Sequence, residues 1–282
     1  YMKIITQEIF DPSFNEKRIK VFMRRLDLIS HPVSGNKYFK LKYNIDYAIK
    51  SKFNTIVTFG GAYSNHILAT SIISKENNLK SVGFIRGEET LPLNSTLTDA
   101  VKNGMEIIYL SRKNYRKIND EEYLNQLRIK YKKSYIIPEG GTNSLAIRGT
   151  ESIIKSDEKF EYICCPIGTG GTISGIINSS NHNQKIIGFS AIKGVKNIID
   201  NISNNVNKDN WNINEDYCQN GYAKISKDLI DFIYNFYETK NIALDAIYTG
   251  KMMMGVLDQI KKNKFTSGSN ILIIHTGGIQ GN

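Results

Sequence analysis

Residues 160–173 read FEYICCPIGTGGTI, and this stretch decides the fold. Its apolar run over 160–165, extended by Pro166 and Ile167, is typical of a buried strand. The glycine-rich turn Gly168-Thr169-Gly170-Gly171-Thr172 follows, and a helix is predicted after it. Such an arrangement directs backbone N–H groups and the positive end of a helix dipole at one point, which is how proteins hold a phosphate. The stretch therefore predicts an α/β fold with a phosphate-bearing ligand.

The turn departs from the two best-known phosphate-binding signatures. Ile173 stands where a dinucleotide-binding loop has its third glycine, and no acidic residue follows at the appropriate strand end. No Gly-Lys-Ser or Gly-Lys-Thr closes the turn, so it is not a Walker loop. A glycine turn that binds nothing is the alternative for this segment taken by itself.

Apolar runs and segments of helical periodicity alternate along the chain. The predicted strands are 19–23, 55–59, 81–85, 106–110, 135–137, 160–165, 186–190 and 271–275. The predicted helices are 41–51, 65–77, 95–103, 121–131, 145–156, 172–180, 227–239 and 251–262. Asn94 is predicted to cap the third of these helices and Gly104 to end it. The alternation predicts parallel sheets flanked by helices, and the Asn-rich segment 192–220 is predicted to be irregular.

The composition excludes several classes of protein. With 282 residues, 40% of them apolar, the chain can form one large domain or two ordinary ones, so it is not disordered. The net charge of +10 comes from 37 basic and 27 acidic residues that are scattered along the chain, which favours a solvated surface over a nucleic-acid-binding face. Three cysteines cannot frame a disulfide scaffold, and no membrane-spanning run or signal pattern is present. We therefore expect a cytoplasmic protein without nucleic-acid or membrane partners.

Three further glycine turns follow predicted strands. They read Gly60-Gly61-Ala62-Tyr63-Ser64-Asn65-His66, Pro138-Glu139-Gly140-Gly141-Thr142-Asn143 and His275-Thr276-Gly277-Gly278. In the first of them, Ser64 and backbone amides can bind a carboxylate, or Ser64 or Asn65 merely caps a helix. Because ligands of open α/β sheets bind at the carboxyl ends of strands, the four turns predict one shared crevice.

A lysine lies in the first turn of a predicted helix, within Ser34-Gly35-Asn36-Lys37-Tyr38-Phe39-Lys40. The positive end of the helix dipole disfavours a cation there, so we expect Lys37 to have a lowered pKa and a nucleophilic amine. An ordinary surface lysine is the alternative. A nucleophilic amine together with a phosphate-binding turn indicates pyridoxal phosphate, which needs both.

These motifs resemble those of one enzyme family. The chain is similar to the fold type II pyridoxal-phosphate enzymes, and specifically to the 1-aminocyclopropane-1-carboxylate deaminase and D-cysteine desulfhydrase family. The resemblance rests on the four glycine turns, the Gly35-Asn36-Lys37 segment with Lys40, and Tyr248-Thr249-Gly250-Lys251. The six motifs occur in the order of the family and span nearly the whole chain.

The resemblance implies roles for individual residues. Lys37 would form the Schiff base with the cofactor, and the loop amides with the Thr172 hydroxyl would hold its phosphate. The implied cofactor-binding residues are Lys37, Lys40, Asn65, Gly168, Thr169, Gly170, Gly171, Thr172, Thr249 and Thr276. The implied catalytic residues are Lys37, Ser64, Tyr248 and Tyr222, and the implied substrate-binding residues are Ser64, Asn65, His66 and Tyr248. A packed aromatic ring is the alternative for each tyrosine, and no metal is expected.

Two departures from the deaminase pattern indicate which reaction to expect. Thr249 stands where cyclopropane-opening deaminases have Glu, and Thr276 stands where they have Leu. A neutral threonine makes the cofactor ring a weaker electron sink than a carboxylate would, which favours β-elimination over the opening of a carbon ring. Tyr63 and Phe39 also depart from the usual Gln and Arg and alter the pocket wall.

The resemblance thus implies a pyridoxal-phosphate-dependent lyase, deaminase or hydrolase that releases pyruvate, sulfide and ammonia from D-cysteine. A 1-aminocyclopropane-1-carboxylate deaminase giving 2-oxobutanoate is the alternative, and a non-catalytic cofactor binder or a basic nucleic-acid-binding protein are alternatives of other classes. Two domains are expected, a large one from 1–40 and 149–282 and a small inserted one from 41–148, with the cofactor between them. The expected partners are a small amino acid and a second copy in a homodimer.

Overall fold

The computed structural model of the protein describes residues 4–29, 32–219, 221 and 224–278. The strands are β1 (Ile5–Ile9), β2 (Lys20–Arg25), β3 (Thr55–Gly61), β4 (Lys80–Arg86), β5 (Met105–Leu110), β6 (Ser134–Ile137), β7 (Tyr162–Ile167), β8 (Lys185–Ser190), β9 (Trp211–Asn214) and β10 (Asn270–His275). The helices are α1 (Pro12–Glu16), α2 (Asn36–Lys50), α3 (Asn65–Glu76), α4 (Ser95–Lys102), α5 (Arg112–Tyr115), α6 (Glu121–Lys130), α7 (Ser144–Thr150), α8 (Gly171–Ser179), α9 (Lys196–Ser203), α10 (Lys227–Lys240) and α11 (Thr249–Lys261).

The strands form two sheets. The larger sheet has the order β1-β2-β10-β7-β8-β9, and all its pairs are parallel except the antiparallel edge pair of β1 and β2. The smaller sheet has the order β5-β4-β3-β6 and is entirely parallel. The predicted α/β fold with parallel sheets and flanking helices is therefore confirmed.

Both sheets are buried on two faces, as parallel sheets with helices on each side must be. Every residue of β7 is buried, and so are six of the seven residues of β3. Helix α11 packs on one face of the larger sheet through Met252 and Val256, and α8 packs on the other through Ile173 and Ile177. The helices on both faces hold β7 in place, and they thereby position the glycine-rich loop that follows it.

All eight predicted strands and all eight predicted helices are present, and Asn94 caps α4 by accepting a hydrogen bond from the Leu97 N–H at 2.9 Å. Five elements were not predicted: β1, β9, α1, α5 and α9. The prediction that 192–220 is irregular is wrong, because this segment contains α9 and β9. Strand β9 has only four residues and pairs at the sheet edge, so its apolar alternation is too short to be seen in the sequence.

The division into two domains stays a prediction. The smaller sheet draws all its strands from 55–137, inside the predicted inserted domain. Helices α2 and α7 run across the predicted boundaries after residues 40 and 148, so the two parts are joined through helices rather than through loops. Within the described part of the chain, no helix has the length and apolarity that crossing a lipid bilayer requires.

Candidate active site

One cavity is lined by turns that follow strands of both sheets. All four glycine turns contribute to its wall, as does the segment that begins at Ser34. The predicted site residues that line it are Lys37, Lys40, Ser64, Asn65, His66, Gly168, Thr169, Gly170, Gly171, Thr172, Tyr248 and Thr276. Thr249 is not among the lining residues, and Tyr222 lies outside the described residues.

The glycine-rich loop joins β7 to α8 at one end of this cavity. Gly170 has a φ of +89°, in the left-handed region that favours glycine. A Cβ on Gly171 would lie 2.8 Å from Thr142 Oγ1 and 3.2 Å from Lys40 Cε, so any side chain there would crowd the neighbouring hydroxyl and lysine. The first amides of α8 have no carbonyl partner within the helix and carry the positive end of its dipole. This end of the cavity therefore suits an anion.

Lys37 lies in the first turn of α2, directly after a residue that is held against the larger sheet. The Asn36 N–H donates to the carbonyl oxygen of Thr276, which follows β10, at 3.0 Å. The Asn36 side chain then bridges two site residues: its Nδ2 donates to Thr172 Oγ1 at 2.9 Å, and its Oδ1 accepts from Lys37 Nζ at 3.2 Å. Asn36 thus links the lysine amine to the glycine-rich loop.

The pKa of the Lys37 amine is lowered to about 8. Burial is the main cause, and the negative charge of Asp245 opposes it. The residue as a whole is only half-buried because its side chain faces the cavity, but its amine is enclosed by protein atoms. A lowered pKa was expected from the helix dipole, whereas the structure gives burial as the dominant cause.

Lys40 lies one turn further along α2 and is 2% exposed. Its Nζ donates to the Gly140 carbonyl oxygen, to Thr142 Oγ1 at 2.9 Å and to Thr169 Oγ1 at 3.4 Å. Burial and then the charge of Lys37 lower the pKa of Lys40. None of the described residues that line the cavity is acidic. Two enclosed amines in a wall without carboxylates favour an anionic ligand, because a buried cation is costly without a counter-charge.

The first turn of α3 forms another part of the wall. Ser64 is the N-cap of the helix, and its Oγ accepts a hydrogen bond from the Ile67 N–H at 3.4 Å. His66 is 1% exposed, and burial followed by the charges of the two site lysines lowers its pKa well below the usual range. The Thr58 hydroxyl donates to the Ile137 carbonyl at 2.9 Å, so it accepts from His66 Nε2 at 2.8 Å. His66 is therefore a neutral imidazole protonated at Nε2.

Tyr248 and Thr249 differ in their position relative to the cavity. A Cβ on Gly168 would lie 3.3 Å from the Tyr248 hydroxyl oxygen, so this tyrosine lies against the glycine-rich loop. Thr249 is fully buried behind it, and its hydroxyl donates to Asp245 Oδ2 at 2.5 Å. The Asp245 carboxylate also accepts from the N–H groups of residues 247, 248 and 249 at 2.9, 2.6 and 2.9 Å. The cofactor role of Thr249 stays a prediction that its present partner does not favour.

Helix α9 supports the glycine-rich loop from outside the cavity. The Nδ2 of Asn201 donates to the Thr169 carbonyl oxygen at 3.1 Å. A Cβ on Gly170 would lie 3.0 Å from Ile202 Cγ1 and 3.6 Å from Ile198 Cγ2, so the helix packs directly on the loop. The loop is therefore held between Lys40 on one side and α9 on the other.

Three residues of the site were not singled out from the sequence. Asn36 belongs to a quoted motif but was given no role. Asp245 has a visible signal, since an Asp shortly before a helical segment is typical of a side chain that binds the first amides of the helix. Asn201 has none, because its contact depends on a helix that itself was not predicted.

We expect the substitution Asn201→Ala to weaken binding of the predicted cofactor about twofold to tenfold, the effect of one neutral hydrogen bond. The reason is that the Thr169 carbonyl loses its donor while the residues inside the cavity are untouched. The measurement is the dissociation constant of pyridoxal phosphate from titration of the cofactor-free protein. Asn197→Ala, an exposed position on the same helix, is the control and should leave the constant unchanged. Equal constants for both variants would contradict the supporting role of Asn201.

Residues 11–277 match the family model described as pyridoxal-phosphate dependent enzyme. The chain belongs to this family of pyridoxal-phosphate-dependent enzymes. Its cofactor is pyridoxal phosphate, as the sequence predicted. The group fits the site on its own terms, because an enclosed lysine amine and an anion-binding loop are both present in a cavity without an acidic wall.

Several family members are similar over most of their length. A putative 1-aminocyclopropane-1-carboxylate deaminase of Thermotoga maritima is 31% identical over 93% of this chain and 89% of its own. The bifunctional D-cysteine desulfhydrase/1-aminocyclopropane-1-carboxylate deaminase, mitochondrial, of Arabidopsis thaliana is 31% identical over 93% of this chain and 73% of its own. The crystal structure of an ACC deaminase homologue has a TM-score of 0.85 at 25% identity and covers 100% of this chain and 91% of that one.

These similarities confirm the fold type II prediction for this pyridoxal-phosphate-dependent enzyme. A hydrogen sulfide-producing enzyme from Fusobacterium nucleatum has the same fold, with a TM-score of 0.72 at 17% identity over 99% of this chain and 96% of that one. The names of these relatives support the predicted deaminase and desulfhydrase relationship. They do not support the class hydrolase, and that part of the expectation is wrong.

Proposed function

We propose that this enzyme is a lyase that removes the β-substituent of a small amino acid, with D-cysteine as the reference substrate and pyruvate, sulfide and ammonia as products. The observation that carries the proposal is the single cavity in which the Lys37 amine, the glycine-rich loop and the first turn of α3 meet. These three parts correspond to the needs of such a reaction: an amine, an anchor for the cofactor phosphate and a binding place for the substrate carboxylate.

The cofactor phosphate would be held by the amides of the glycine-rich loop, the Thr172 hydroxyl and the Lys40 ammonium. The Asn65 side chain would bind the cofactor ring, and Ser64 with the first amides of α3 would hold the substrate carboxylate. The Ser64 hydroxyl can do so because its oxygen is used by the helix while its proton is available. The neutral imidazole of His66 lies beside them and adds no charge to the wall.

The Lys37 amine would take the proton from the Cα atom of the substrate. Its lowered pKa suits this role, because an amine with a pKa of about 8 is partly neutral near neutral pH and can accept a proton. When bound, pyridoxal phosphate accepts the electron pair that the departing proton leaves on the substrate. Tyr248, which lies against the loop, would face the substrate and donate a proton to the departing sulfur.

Elimination is favoured over ring opening by the position of the nearby carboxylate. The charge of Asp245 acts on the Lys37 amine, but the oxygens of this carboxylate are engaged by three backbone amides and the Thr249 hydroxyl. A carboxylate bound in this way is a poor partner for the cofactor ring. We infer that the cofactor ring would be a weaker electron sink without a carboxylate partner, which favours elimination over ring opening.

Product analysis of the loaded enzyme tests the proposal. With D-cysteine we expect equal amounts of sulfide and pyruvate, and with 1-aminocyclopropane-1-carboxylate we expect 2-oxobutanoate at a rate at least about tenfold lower, a barrier difference of about 1.4 kcal/mol. Lys37→Ala is the control for background release of sulfide. A higher rate with the cyclopropane substrate would favour the deaminase alternative. A coloured protein that releases neither product would identify a non-catalytic binder.

A homodimer and a cytoplasmic location are part of the same proposal. The dimer is supported by large apolar side chains on the outer face of α10, where Ile230, Tyr234 and Tyr237 are 55%, 67% and 47% exposed. These residues recur at helical spacing and form one stripe, and such a stripe commonly covers a protein interface. The proposed location is supported by the cysteine usage, since the three described cysteines are all free and buried.

A further inference from the structure

The cavity continues beyond the first turn of α3 into an apolar lobe. We give this name to the part lined by Pro32, Val33, Leu68, Ala69 and Ile72. Residues 64, 65, 68, 69 and 72 follow helical spacing, so the polar first turn of α3 and the wall of the lobe lie on one face of the helix. A ligand bound at the first turn can therefore extend into the lobe without leaving that face.

Leu68 contributes an apolar side chain to the wall of the lobe. Leu68 is 6% exposed, and it lines the cavity. Ala69 and Val33 are part of the core beneath the smaller sheet, and Ile72 packs against it. Leu68 is thus shielded from solvent while it lines the cavity.

The reach of the lobe fits the side chain of an amino acid. With a rise of about 1.5 Å per residue, Leu68 lies roughly 6 Å along the helix axis from Ser64, and helical side chains lean back toward the N-terminus. A β-sulfur and roughly one further heavy atom of a substrate whose carboxylate lies at Ser64 thus reach Leu68, and a longer alkyl group extends toward Ile72, roughly 12 Å along the helix axis from Ser64. A bare thiol would leave this space to water.

The charges of the wall decide which kind of group can fill it. The charged side chains among the described lining residues are Lys37 and Lys40, and both belong to the end near the glycine-rich loop. A charged group in the lobe would lose its water without gaining a partner, whereas an alkyl group gains from burial there.

We propose that the substrates of this enzyme carry an uncharged alkyl group on the β-sulfur, and that the apolar lobe binds this group. The inference rests on the proposed elimination and names its substrate class, S-alkyl-cysteines. The Cα–H and Cβ–S bonds break, the sulfur leaves as an alkanethiol after gaining a proton, and one water molecule converts the remaining enamine to pyruvate and ammonia. No oxidant or reductant is required.

Steady-state kinetics with D-cysteine and its S-methyl, S-ethyl and S-propyl derivatives tests this substrate class. We expect KM to fall roughly threefold to fourfold for each added methylene group. S-carboxymethyl-D-cysteine, which is of similar length but charged, should have a KM at least about 30-fold above that of the S-propyl compound. A KM that does not change with chain length would overturn the proposal, and so would equal constants for the charged and the apolar compound.

A matched pair of variants locates the effect. Ile72→Ala should reduce the dependence on chain length, whereas Ile73→Ala should not, because Ile73 is a neighbouring half-buried isoleucine that does not line this cavity. Leu68→Ala should remove most of the dependence of KM on chain length. If all three variants retain the full dependence, the lobe does not bind the alkyl group.

Binding without turnover separates this inference from the proposed reaction. The 3-(alkylthio)propanoates lack the amino group and cannot react, and calorimetry measures their affinity for the protein directly. We expect the affinity to rise from the methyl to the propyl compound, and to rise less in Leu68→Ala. If D-cysteine is converted but the affinities are equal, the lobe inference fails alone. If D-cysteine and its derivatives all give no product while the affinities rise, the proposed reaction fails and the lobe remains a binding site.

Discussion

Lys37→Ala is expected to abolish the visible absorbance of the lysine-bound cofactor and to lower turnover by at least about a thousandfold, the scale typical for loss of a group that acts in the reaction itself. The structural reason is that Lys37 combines a cavity-facing side chain with an enclosed amine, whereas Lys40 is committed to one carbonyl and two hydroxyl groups. The measurement is a visible spectrum of the purified variant with added pyridoxal phosphate. Lys50→Ala, an exposed lysine on the same helix, is the matched control and should keep the spectrum of the parent protein.

The same amine predicts a pH dependence. Attack on the cofactor aldehyde requires the neutral amine, and with a pKa lowered to about 8 the neutral fraction rises as the pH increases through that value. The rate of cofactor attachment to the cofactor-free protein should therefore increase between about pH 6 and pH 8 and level off above about pH 9. An unbound lysine of ordinary pKa would instead show a rate that still rises at pH 10.

Retention of the visible band in Lys37→Ala would refute the assignment of Lys37.

Lys40→Met should weaken cofactor binding roughly 30-fold to 4000-fold, since truncating one partner of a buried charge pair costs about 2–5 kcal/mol. Lys40 is 2% exposed and its Nζ contacts Thr169 of the glycine-rich loop, so a phosphate at that loop would be its counter-charge. Methionine keeps most of the volume and removes the charge. The measurement is the dissociation constant of pyridoxal phosphate, with Lys50→Met as the exposed control on the same helix.

The cofactor-free protein should respond in the opposite way. Without a phosphate, the Lys40 ammonium is a buried cation whose pKa is lowered by burial, which means that the fold disfavours its charge. The free energy of unfolding of cofactor-free Lys40→Met should thus equal or exceed that of the parent, while the stabilisation gained on adding the cofactor is lost. If the variant is destabilised without the cofactor and binds the cofactor normally, Lys40 has only a structural role.

The elements that carry the site could be predicted from the sequence because each has a strong local signal. The buried run of β7 is an apolar signal, and the glycine turn after it is a conformational signal. The two signals lie within a few residues of each other. The elements that were missed are short or at the edge of a sheet, and they form because a neighbour covers them. Helix α9 is an example, since it has only eight residues and its Ile198 and Ile202 are covered by the core and the glycine-rich loop.

Within the site, the sequence predicted which turns would meet but not how they bind one another. The bridge through Asn36, the support from Asn201 and the engagement of Thr249 by Asp245 depend on distances between segments that are far apart in the chain. Thr249 shows the limit most clearly. Its residue type suggested a partner for the cofactor ring, whereas its hydroxyl is bound within its own helix start.

Helix α2 connects the two sheets as one continuous helix. Its first residue is fastened to the carbonyl of Thr276 beside the larger sheet, and its later turns, through Leu41 and Ile45, are embedded beneath the smaller one. Because the helix is unbroken, a swing of the smaller sheet would turn it about its fastened end. Lys37, one residue from that pivot, would move little, and Lys40, a full turn away, would move more. If Lys40 holds the cofactor phosphate as proposed, such a movement would thus shift the contact with the phosphate before it shifted the Lys37 amine.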